Sequence, residues 1–488
     1  MKHARKLASL LLALVMVFAL SATAFAATVT KTPEDLTGLA SITVDLPAVP
    51  SGATAKNEYK IYKVFDATLS SDYKISYTLV AGKTDAPAGF TVDANGYVTY
   101  SGSDTELTSS DITAIKGYVT NSMLVATIET TQADKSFTVA GLPYGYYYIT
   151  TTTGSVVTVN STMPNASVRD KNTVPSLDKT IKGATGTIDA TGKKAIARVG
   201  TDVTYTATIT VGTGAENYVF HDKMGTGLSY NNDLVVKAGG NVVDISKYET
   251  TPVADGDTLT VTFKNDYIST LEVGTTITLT YTAKITNAAL TVNPEKNTAY
   301  LDYGHTPGDN STPKKETEVF SAKITVYKQD SESKPLAGAG FVLRNADGKY
   351  YKFTEATENT PAKVEWVTVT GKLEEAITGG TITEHVSAVA NNQAVVGPFQ
   401  GLSDGTYTLV ESTVPAGYTK ATDTTVTING SDYTATNLEQ TKTIENKAGT
   451  LLPSTGGMGT TIFYVLGSIL AVGAIVLLVT KKRMSAAD

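Results

Sequence analysis

Regular alternation of apolar and polar residues is the feature that most limits how this chain can fold. It runs through residues 203–211, 258–263 and 276–285, and a period of two residues is typical of strands with one buried face. Turn-forming pairs such as Asn95-Gly96 separate such strands. One segment, residues 109–128, is predicted to be helical. Many short strands joined by turns indicate an all-β protein built from sandwiches.

The chain has 488 residues, enough for about three domains of ordinary size. Two polar junctions divide it, residues 171–176 and residues 306–318, and the second contains two prolines. We therefore predict three tandem Ig-like β-sandwich domains at residues 27–172, 173–320 and 321–450. An N-terminal signal helix and a C-terminal transmembrane helix are expected to flank them.

Composition argues against several kinds of function. The chain has no cysteine, which rules out disulfides, thiolate metal sites and cysteine nucleophiles. Its four histidines are far apart, so we expect no metal site and no histidine-based triad, and no cofactor is indicated. A net charge of −7 argues against nucleic acid as a partner. No stretch combines paired acids with a base or nucleophile, so we do not expect an enzyme such as a wall-bound hydrolase.

The N-terminus has the pattern of a secretory signal. Lys2, Arg5 and Lys6 precede an apolar run at residues 7–20, and Ala24-Phe25-Ala26 forms a small-x-small cleavage site. We therefore predict a signal peptide at residues 1–26. The alternative is a membrane anchor, for which the apolar run is short.

The C-terminus contains three signals in a fixed order. Leu452-Pro453-Ser454-Thr455-Gly456 is followed by an apolar stretch at residues 460–480 and then by Lys481-Lys482-Arg483. This order resembles the LPxTG sorting signal of Gram-positive surface proteins, here within residues 451–488. The resemblance implies that a sortase cleaves between Thr455 and Gly456 and passes the threonine carbonyl, through a thioester, to an amine. The alternative is an ordinary single-span membrane protein.

The third predicted domain contains a motif that suggests self-modification. Residues 407–418, YTLVESTVPAGY, resemble the E-box of Gram-positive pilins, and residues 323–330 and 444–447 resemble the first and last strands of a CnaB-type domain. The resemblance implies an isopeptide bond between Lys328 and Asn446, assisted by Glu411. Burial would make the lysine a neutral nucleophile and keep the acid protonated. The alternative is that all three are surface residues of a plain sandwich.

The second predicted domain shows a parallel set. Residues 175–181, 219–228 and 296–301 resemble the CnaA-like domain of fimbrial backbone pilins, which implies a Lys179–Asn297 isopeptide bond with Asp222 as the acid. The interval from Lys179 to Asn297 is 118 positions, equal to that from Lys328 to Asn446. The alternative for Asp222 is a turn or cap residue.

The first predicted domain repeats part of the third. Residues 141–149 parallel residues 401–409, which places Thr151 where Glu411 stands, and residues 62–66 parallel residues 327–330, which makes Lys63 the strand lysine. Because the carboxyl is missing, we expect no isopeptide bond in this domain. Asp66 is the acid that would overturn this expectation.

The first junction contains a candidate acceptor lysine. Lys171-Asn172 stands where backbone pilins have the pilin motif YPKN, whose lysine attacks the sortase thioester, although Arg169 and Asp170 replace its Tyr and Pro. Lys182 is a spare candidate. The alternative is an ordinary linker lysine.

Taken together, the chain resembles the SpaA-type backbone pilins of sortase-assembled Gram-positive pili. This resemblance implies a cell-wall and cell-surface location, after secretion through a transient membrane-bound precursor. It implies as partners a pilus-specific class C sortase, a housekeeping sortase, identical subunits joined head to tail, minor pilins and peptidoglycan, and it leaves a host surface ligand open. The alternatives are a monomeric LPxTG-anchored adhesin and a minor pilin.

Overall fold

The structure is a computed structural model that describes residues 28–31, 40–71, 74–102, 107–153, 156–161, 165–251, 256–291, 293–306, 308–358, 360–450, 452 and 459–484. The signal peptide predicted at residues 1–26 lies outside this part of the chain. Strands β1–β34 are Thr28–Lys31, Ala40–Asp45, Lys56–Leu69, Ile75–Leu79, Phe90–Val92, Tyr97–Tyr100, Leu124–Thr131, Ser136–Leu142, Gly145–Thr151, Val156–Ser161, Asn165–Arg169, Ser176–Gly183, Lys194–Ile196, Asp202–Thr210, Val219–Met224, Leu228–Tyr230, Val235–Ala238, Asn241–Val242, Tyr248–Thr251, Leu259–Phe263, Thr276–Ile285, Glu295–Tyr303, Asn310–Ser311, Lys315–Phe320, Ala322–Asp330, Gly340–Asn345, Tyr350–Thr354, Lys363–Val367, His385–Val386, Ala388–Ala390, Gln393–Leu402, Gly405–Thr413, Thr424–Ile428 and Glu439–Asn446. Helices α1–α5 are Ser109–Tyr118, Asn265–Ile268, Leu373–Thr378, Ala435–Leu438 and Gly459–Met484.

The first domain consists of strands β1–β11 in two sheets. One sheet has the order β1-β7-β3-β4-β6-β5, with β9 also paired to β3 and β10 to β9. The other has the order β11-β2-β8, in which β2 pairs parallel to β11 and antiparallel to β8. Alternate residues of β2, namely Ala40, Ile42 and Val44, are buried in the core. The alternating sequence therefore produces a sheet with one buried face.

The second domain consists of strands β12–β24. One sheet has the order β12-β14-β21-β17-β18, with β16 paired to β21, and the other has the order β13-β24-β22-β15-β20-β19, with β23 paired to β22. The predicted strands at residues 203–211 and 276–285 are β14 and β21, which pair antiparallel along their whole length. Their inward side chains, such as Tyr205 and Tyr281, are fully buried. This core surrounds the first of the two candidate cross-link sites.

The third domain consists of strands β25–β34. In one sheet β25 lies between β31, which is antiparallel to it, and the last strand β34, which is parallel to it. The facing sheet has the order β28-β27-β26-β32-β33, with β29 paired to β26. The first and last strands of the domain are therefore direct neighbours.

The second and third domains share a continuous core. The amide of Val199 donates to the carbonyl of Gly401, and the carbonyl of Val199 accepts from the amide of Val364, both at 3.1 Å. A Cβ on Gly401, whose φ is +69°, would lie 3.0 Å from the Val199 Cβ. Buried apolar side chains form one cluster that extends from Leu177 to Ile444. The segment around Val199 therefore joins the two sandwiches through backbone hydrogen bonds and packing.

The helices differ in part from the sequence-based expectation. The prediction of a helix over residues 109–128 is wrong in its second half, because α1 ends at Tyr118 and Leu124–Thr131 is strand β7. Pairing of β7 with β3 buries Ala126 and Ile128 and outweighs the local helical pattern. At the C-terminus, α5 is the one helix of the described residues that is long and apolar enough to cross a membrane.

Candidate functional site

Three polar side chains lie together inside the second domain. Lys179 is on β12, whereas Asp222 and Asn297 are on β15 and β22, which are paired neighbours in the facing sheet. All three residues have an exposed fraction of 0%. The Nζ of Lys179 donates a hydrogen bond to Asp222 Oδ2, and the hydroxyl of Tyr281 donates to the same oxygen. The sandwich therefore brings together the lysine, acid and asparagine that the sequence predicted.

Burial moves both charged groups of this site towards their neutral forms. It lowers the pKa of Lys179 to about 8, against the opposing attraction of the Asp222 carboxylate. It also raises the pKa of Asp222, against the opposing effects of Lys179 and of the hydrogen bonds to that carboxylate. A buried charge loses its hydration, so the uncharged form gains in each case. The site thus favours a neutral amine beside a protonated carboxyl.

The third member of this site has unused hydrogen-bonding capacity. Asn297 approaches the Asp222 carboxyl closely enough to favour its ionised form. Neither the amide atoms of Asn297 nor Asp222 Oδ1 completes a hydrogen bond of normal geometry among the described residues. Leaving such polar atoms unpaired in a core costs roughly 1–3 kcal/mol each. A reaction that consumed the amide would remove part of this cost.

The corresponding group in the third domain is also buried. Lys328 on β25, Glu411 on β32 and Asn446 on β34 each have an exposed fraction of 1%. Asn446 Nδ2 donates to Glu411 Oε1 at 2.8 Å, and the amide of Ala421 donates to Glu411 Oε2 at 2.6 Å. The carboxyl therefore holds the asparagine amide in a fixed orientation.

Lys328 is held beside this asparagine by the backbone. Because β25 and β34 are parallel, Lys328 lies opposite Ile444, two residues before Asn446. Its Nζ donates to the carbonyl oxygens of Ile444 and Gln329, both at 3.0 Å. Burial lowers the pKa of Lys328, although the charge of Glu411 opposes this shift. Glu411 is hydrogen-bonded to the asparagine here, whereas Asp222 of the second domain is hydrogen-bonded to the lysine and has the asparagine nearby.

The first domain is built on the same strand plan, but the lysine assignment made from the sequence is wrong. Strands β2, β3, β8, β9 and β11 pair with one another as β25, β26, β31, β32 and β34 do. Lys63 is on β3, which corresponds to β26, and it pairs with Asp66 at 2.5 Å. The strand that corresponds to β25 is β2. Its sequence, ASITV, repeats the AKITV that begins β25.

Strand pairing then gives the true counterparts of the third-domain residues. Leu46 occupies the position of Lys328, and Thr151 occupies that of Glu411. Arg169 corresponds to Thr443, so counting three residues further along the chain places Asn172 at the position of Asn446. The first domain therefore retains the asparagine but has neither a lysine nor an acid at the matching positions, and the absence of a cross-link there stays a prediction.

The candidate acceptor Lys171 lies two residues after Arg169, where β11, the last strand of the first domain, ends. Its side chain is exposed, whereas the preceding residue, Asp170, has an exposed fraction of only 3%. In the sorting signal, Leu452 is exposed by 87%. Its other members, Pro453, Ser454, Thr455 and Gly456, lie outside the part of the chain that the structure describes.

The sequence did not reveal every participant. Tyr281 shares the oxygen of Asp222 with Lys179, and Tyr59 contacts Asp170 in the first domain. Each tyrosine stands at an inward position of an alternating strand. A tyrosine at an inward position of a strand was therefore the sequence signal that could have identified these residues, because a buried tyrosine usually has a hydrogen-bond partner.

Comparisons with known proteins agree with this architecture. Residues 322–443 match the SpaA prealbumin-like fold domain, and residues 444–485 match the LPXTG cell wall anchor motif. The trypsin-resistant surface T6 protein of Streptococcus pyogenes serotype M6 is 26% identical over 381 residues, which cover 64% of this chain and 70% of that protein.

Solved structures that are similar to this one include two from streptococci. The T6 backbone pilin of serotype M6 Streptococcus pyogenes is 17% identical, with 82% of this chain and 81% of that chain covered and a TM-score of 0.49. The pilus 2b backbone protein of group B streptococcus is 25% identical, with 57% of this chain and 99% of that chain covered and a TM-score of 0.43.

The fold and the matched regions define a cell-wall-anchored surface protein that has a SpaA prealbumin-like domain before its LPXTG anchor. The chain is, more particularly, a homologue of the streptococcal T6 surface protein.

Proposed function

We propose that this protein is the backbone subunit of a covalent pilus, in which a sortase joins Thr455 of one subunit to Lys171 of the next. The observation that carries the proposal is the pair of buried lysine–acid–asparagine groups, which lie in the two domains between Lys171 and the sorting signal. The homologous T6 protein is a backbone pilin. A subunit with an amine near one end and an activated carbonyl at the other forms an open filament when the contact repeats.

Each buried group supports one intramolecular reaction. The neutral Nζ of the lysine attacks the side-chain carbonyl carbon of the asparagine, and the acid stabilises the charge that develops on the amide oxygen. The C–N bond of the amide breaks, and the lost lysine proton and the –NH₂ group leave together as ammonia. Lys179 would join Asn297 with Asp222 as the acid, and Lys328 would join Asn446 with Glu411. Because each bond forms once, this is self-modification without turnover.

The positions of these bonds match the expected direction of load. Tension along the filament enters at Lys171, passes through the second and third domains, and leaves at Thr455. Those two domains contain the buried reactive groups, whereas the first domain lies outside this path and has Leu46 and Thr151 at the matching positions. Covalent bonds are therefore proposed where force would otherwise separate the first strand from the last.

The test is a denaturing gel of cell-wall digests, blotted for this protein. Wild type is compared with Lys171→Ala and with Lys135→Ala, which removes another exposed lysine of the first domain. We expect a high-mass ladder in wild type and in the control, and a single band in Lys171→Ala. A ladder that survives in Lys171→Ala would contradict Lys171 as acceptor and leave Lys182 as a candidate. A single band in wild type would contradict polymerisation and leave a monomeric wall-anchored adhesin.

A further inference from the structure

The first domain ends its last strand with a non-covalent contact that the third domain lacks. Strand pairing places Tyr59 at the position of Phe341, and Asp170 at the position of Ile444. Two positions that are apolar in the third domain are thus polar in the first. The first domain also has Leu46 and Thr151 in place of the lysine and the acid of the proposed cross-link site.

The two polar replacements meet in the core. The hydroxyl of Tyr59 donates to Asp170 Oδ2 at 2.8 Å, and the exposed fractions of the two residues are 1% and 3%. The other oxygen, Asp170 Oδ1, accepts from the amide of Asn172 at 2.8 Å. The amide of Asp170 donates to the carbonyl of Asp45 on β2, also at 2.8 Å. The buried carboxyl of Asp170 therefore connects Tyr59 on β3 to Asn172, the residue that follows Lys171.

This contact carries an energetic cost that packing alone does not require. Burial raises the pKa of Asp170, and the hydrogen bonds from Asn172 and Tyr59 oppose that shift. Phe341 and Ile444, at the matching positions of the third domain, are buried apolar residues that carry no such cost. We therefore look for a role of the polar pair beyond filling the core. The exposed residue Lys171 lies between Asp170 and Asn172, which are joined by a hydrogen bond.

We propose that Tyr59 and Asp170 are positioning residues that hold Lys171 in place for sortase transfer, taking over the role that a covalent cross-link plays at the end of the third domain. The inference rests on the proposed function, because it presumes that Lys171 is the acceptor. A strand end frays unless it is fixed, and transfer requires the amine at a defined distance from the thioester. The hydrogen bond of Tyr59 restricts the strand end and leaves the Lys171 side chain exposed.

The test uses the full-length protein in a bacterium that assembles it. Tyr59→Phe removes one hydroxyl and installs the residue that the third domain has at this position, so the fold should persist. The matched control is Tyr147→Phe, which removes the hydroxyl of a comparably buried tyrosine in the same domain, where it donates to the carbonyl of Pro143 at 2.7 Å. Pulse–chase labelling measures the conversion of monomer to ladder, and mass spectrometry of wall digests identifies the lysine in each inter-subunit link.

We expect Tyr59→Phe and Asp170→Ala to slow conversion by about tenfold, in line with the sensitivity of transfer reactions to misplacement of a reacting group, and to shift links from Lys171 to neighbouring lysines. Asp170→Asn, which keeps the shape and can still pair with the tyrosine, should restore most of the rate. Tyr147→Phe should behave as wild type.

Equal slowing by Tyr147→Phe, or a wild-type rate with all links at Lys171 in Tyr59→Phe, would overturn the positioning role. A ladder unchanged by Lys171→Ala would instead overturn the acceptor assignment, on which this inference depends. A wild-type strain without any ladder would overturn polymerisation itself. The three failures are therefore distinguishable.

Discussion

Lys179 and Asp222 lie in opposite sheets of the second domain, and their side chains are joined by a hydrogen bond inside a fully buried site. The contact spans the sandwich, so it ties the first strand of the domain to the middle of the facing sheet. Burial favours the neutral form of each group, which is the state that attack on Asn297 requires.

Removing the acid of the second domain should prevent one of the two proposed bonds. We expect the processed wild-type protein to be lighter than its sequence by two molecules of ammonia, and Asp222→Asn to be lighter by one. Intact mass measures the loss, and peptide mapping should find Lys179 joined to Asn297 in wild type but not in Asp222→Asn. Asp302→Asn is the control, because this carboxylate on β22 contacts His221 and not the buried lysine. Two ammonia losses in Asp222→Asn would contradict the assigned role of the acid.

Preventing the proposed bond in the third domain should lower the stability of that domain. A link between Lys328 and Asn446 closes a long loop and, on the entropic model of cross-links, stabilises the fold by about 4–5 kcal/mol. Glu411→Gln should therefore unfold at lower denaturant concentration, with a free energy of unfolding reduced by about that amount. The single tryptophan, Trp366, lies in this domain and reports its unfolding by fluorescence.

The control for that measurement is Glu384→Gln. The Glu384 carboxylate accepts hydrogen bonds from the hydroxyls of Ser412 and Thr413, next to Glu411 in sequence, but it does not contact Asn446. Equal free energies of unfolding in the two variants would contradict a stabilising bond that depends on Glu411.

The buried lysine should give an unlinked variant an unusual dependence on pH. In Asn297→Ala the bond cannot form, so Lys179 remains an amine with a pKa lowered to about 8 from its ordinary value of 10.5. Between these two values the unfolded chain binds a proton that the folded chain has released. Stability should therefore rise with pH across this window, by up to about 1.4 kcal/mol per pH unit.

Chemical unfolding at several pH values in this window measures the slope. Asn297→Ala combined with Lys179→Met removes the titrating amine and should lack the increase. A slope of the same size in both variants would show that other groups cause the dependence.

The first domain should accept a cross-link if the missing groups are restored. Leu46→Lys with Thr151→Glu places a lysine and an acid at the positions that match Lys328 and Glu411, beside the retained Asn172. We expect a third ammonia loss and a Lys–Asn172 peptide in mass spectra. Adding Asn172→Ala should abolish both, and their absence from the double variant would contradict the positional match.

The sequence predicts strands well where apolar and polar residues alternate, because the apolar residues are the ones that face the core. Residues 276–285 were predicted as a strand and form β21 over the same span. Local pattern is less reliable where pairing decides structure: residues 124–128 belong to the predicted helix, but they lie in β7, which pairs with β3. Propensity is a weak guide at such positions, since the gain comes from contacts distant in sequence.

The candidate sites also combine features that local sequence predicts with features that only strand pairing decides. Resemblance to the motifs of CnaA-like domains located Lys179, Asp222 and Asn297, because each of these residues lies within a short segment that matches such a motif. The choice of Lys63 was wrong because the motif around it resembles the end of β25, although only strand pairing shows which strand takes that role. Tyr59 and Asp170 could not be joined from the sequence, since 111 positions separate them.

The backbone hydrogen bonds of Val199 to Gly401 and Val364 have a consequence for how the molecule melts. Unfolding either sandwich alone would break these bonds and expose part of the apolar cluster that the two share. We therefore expect the second and third domains to unfold together on heating, in one calorimetric transition. In the proposed filament, each subunit would then have fewer flexible joints than domains, because the second and third domains would move as one body.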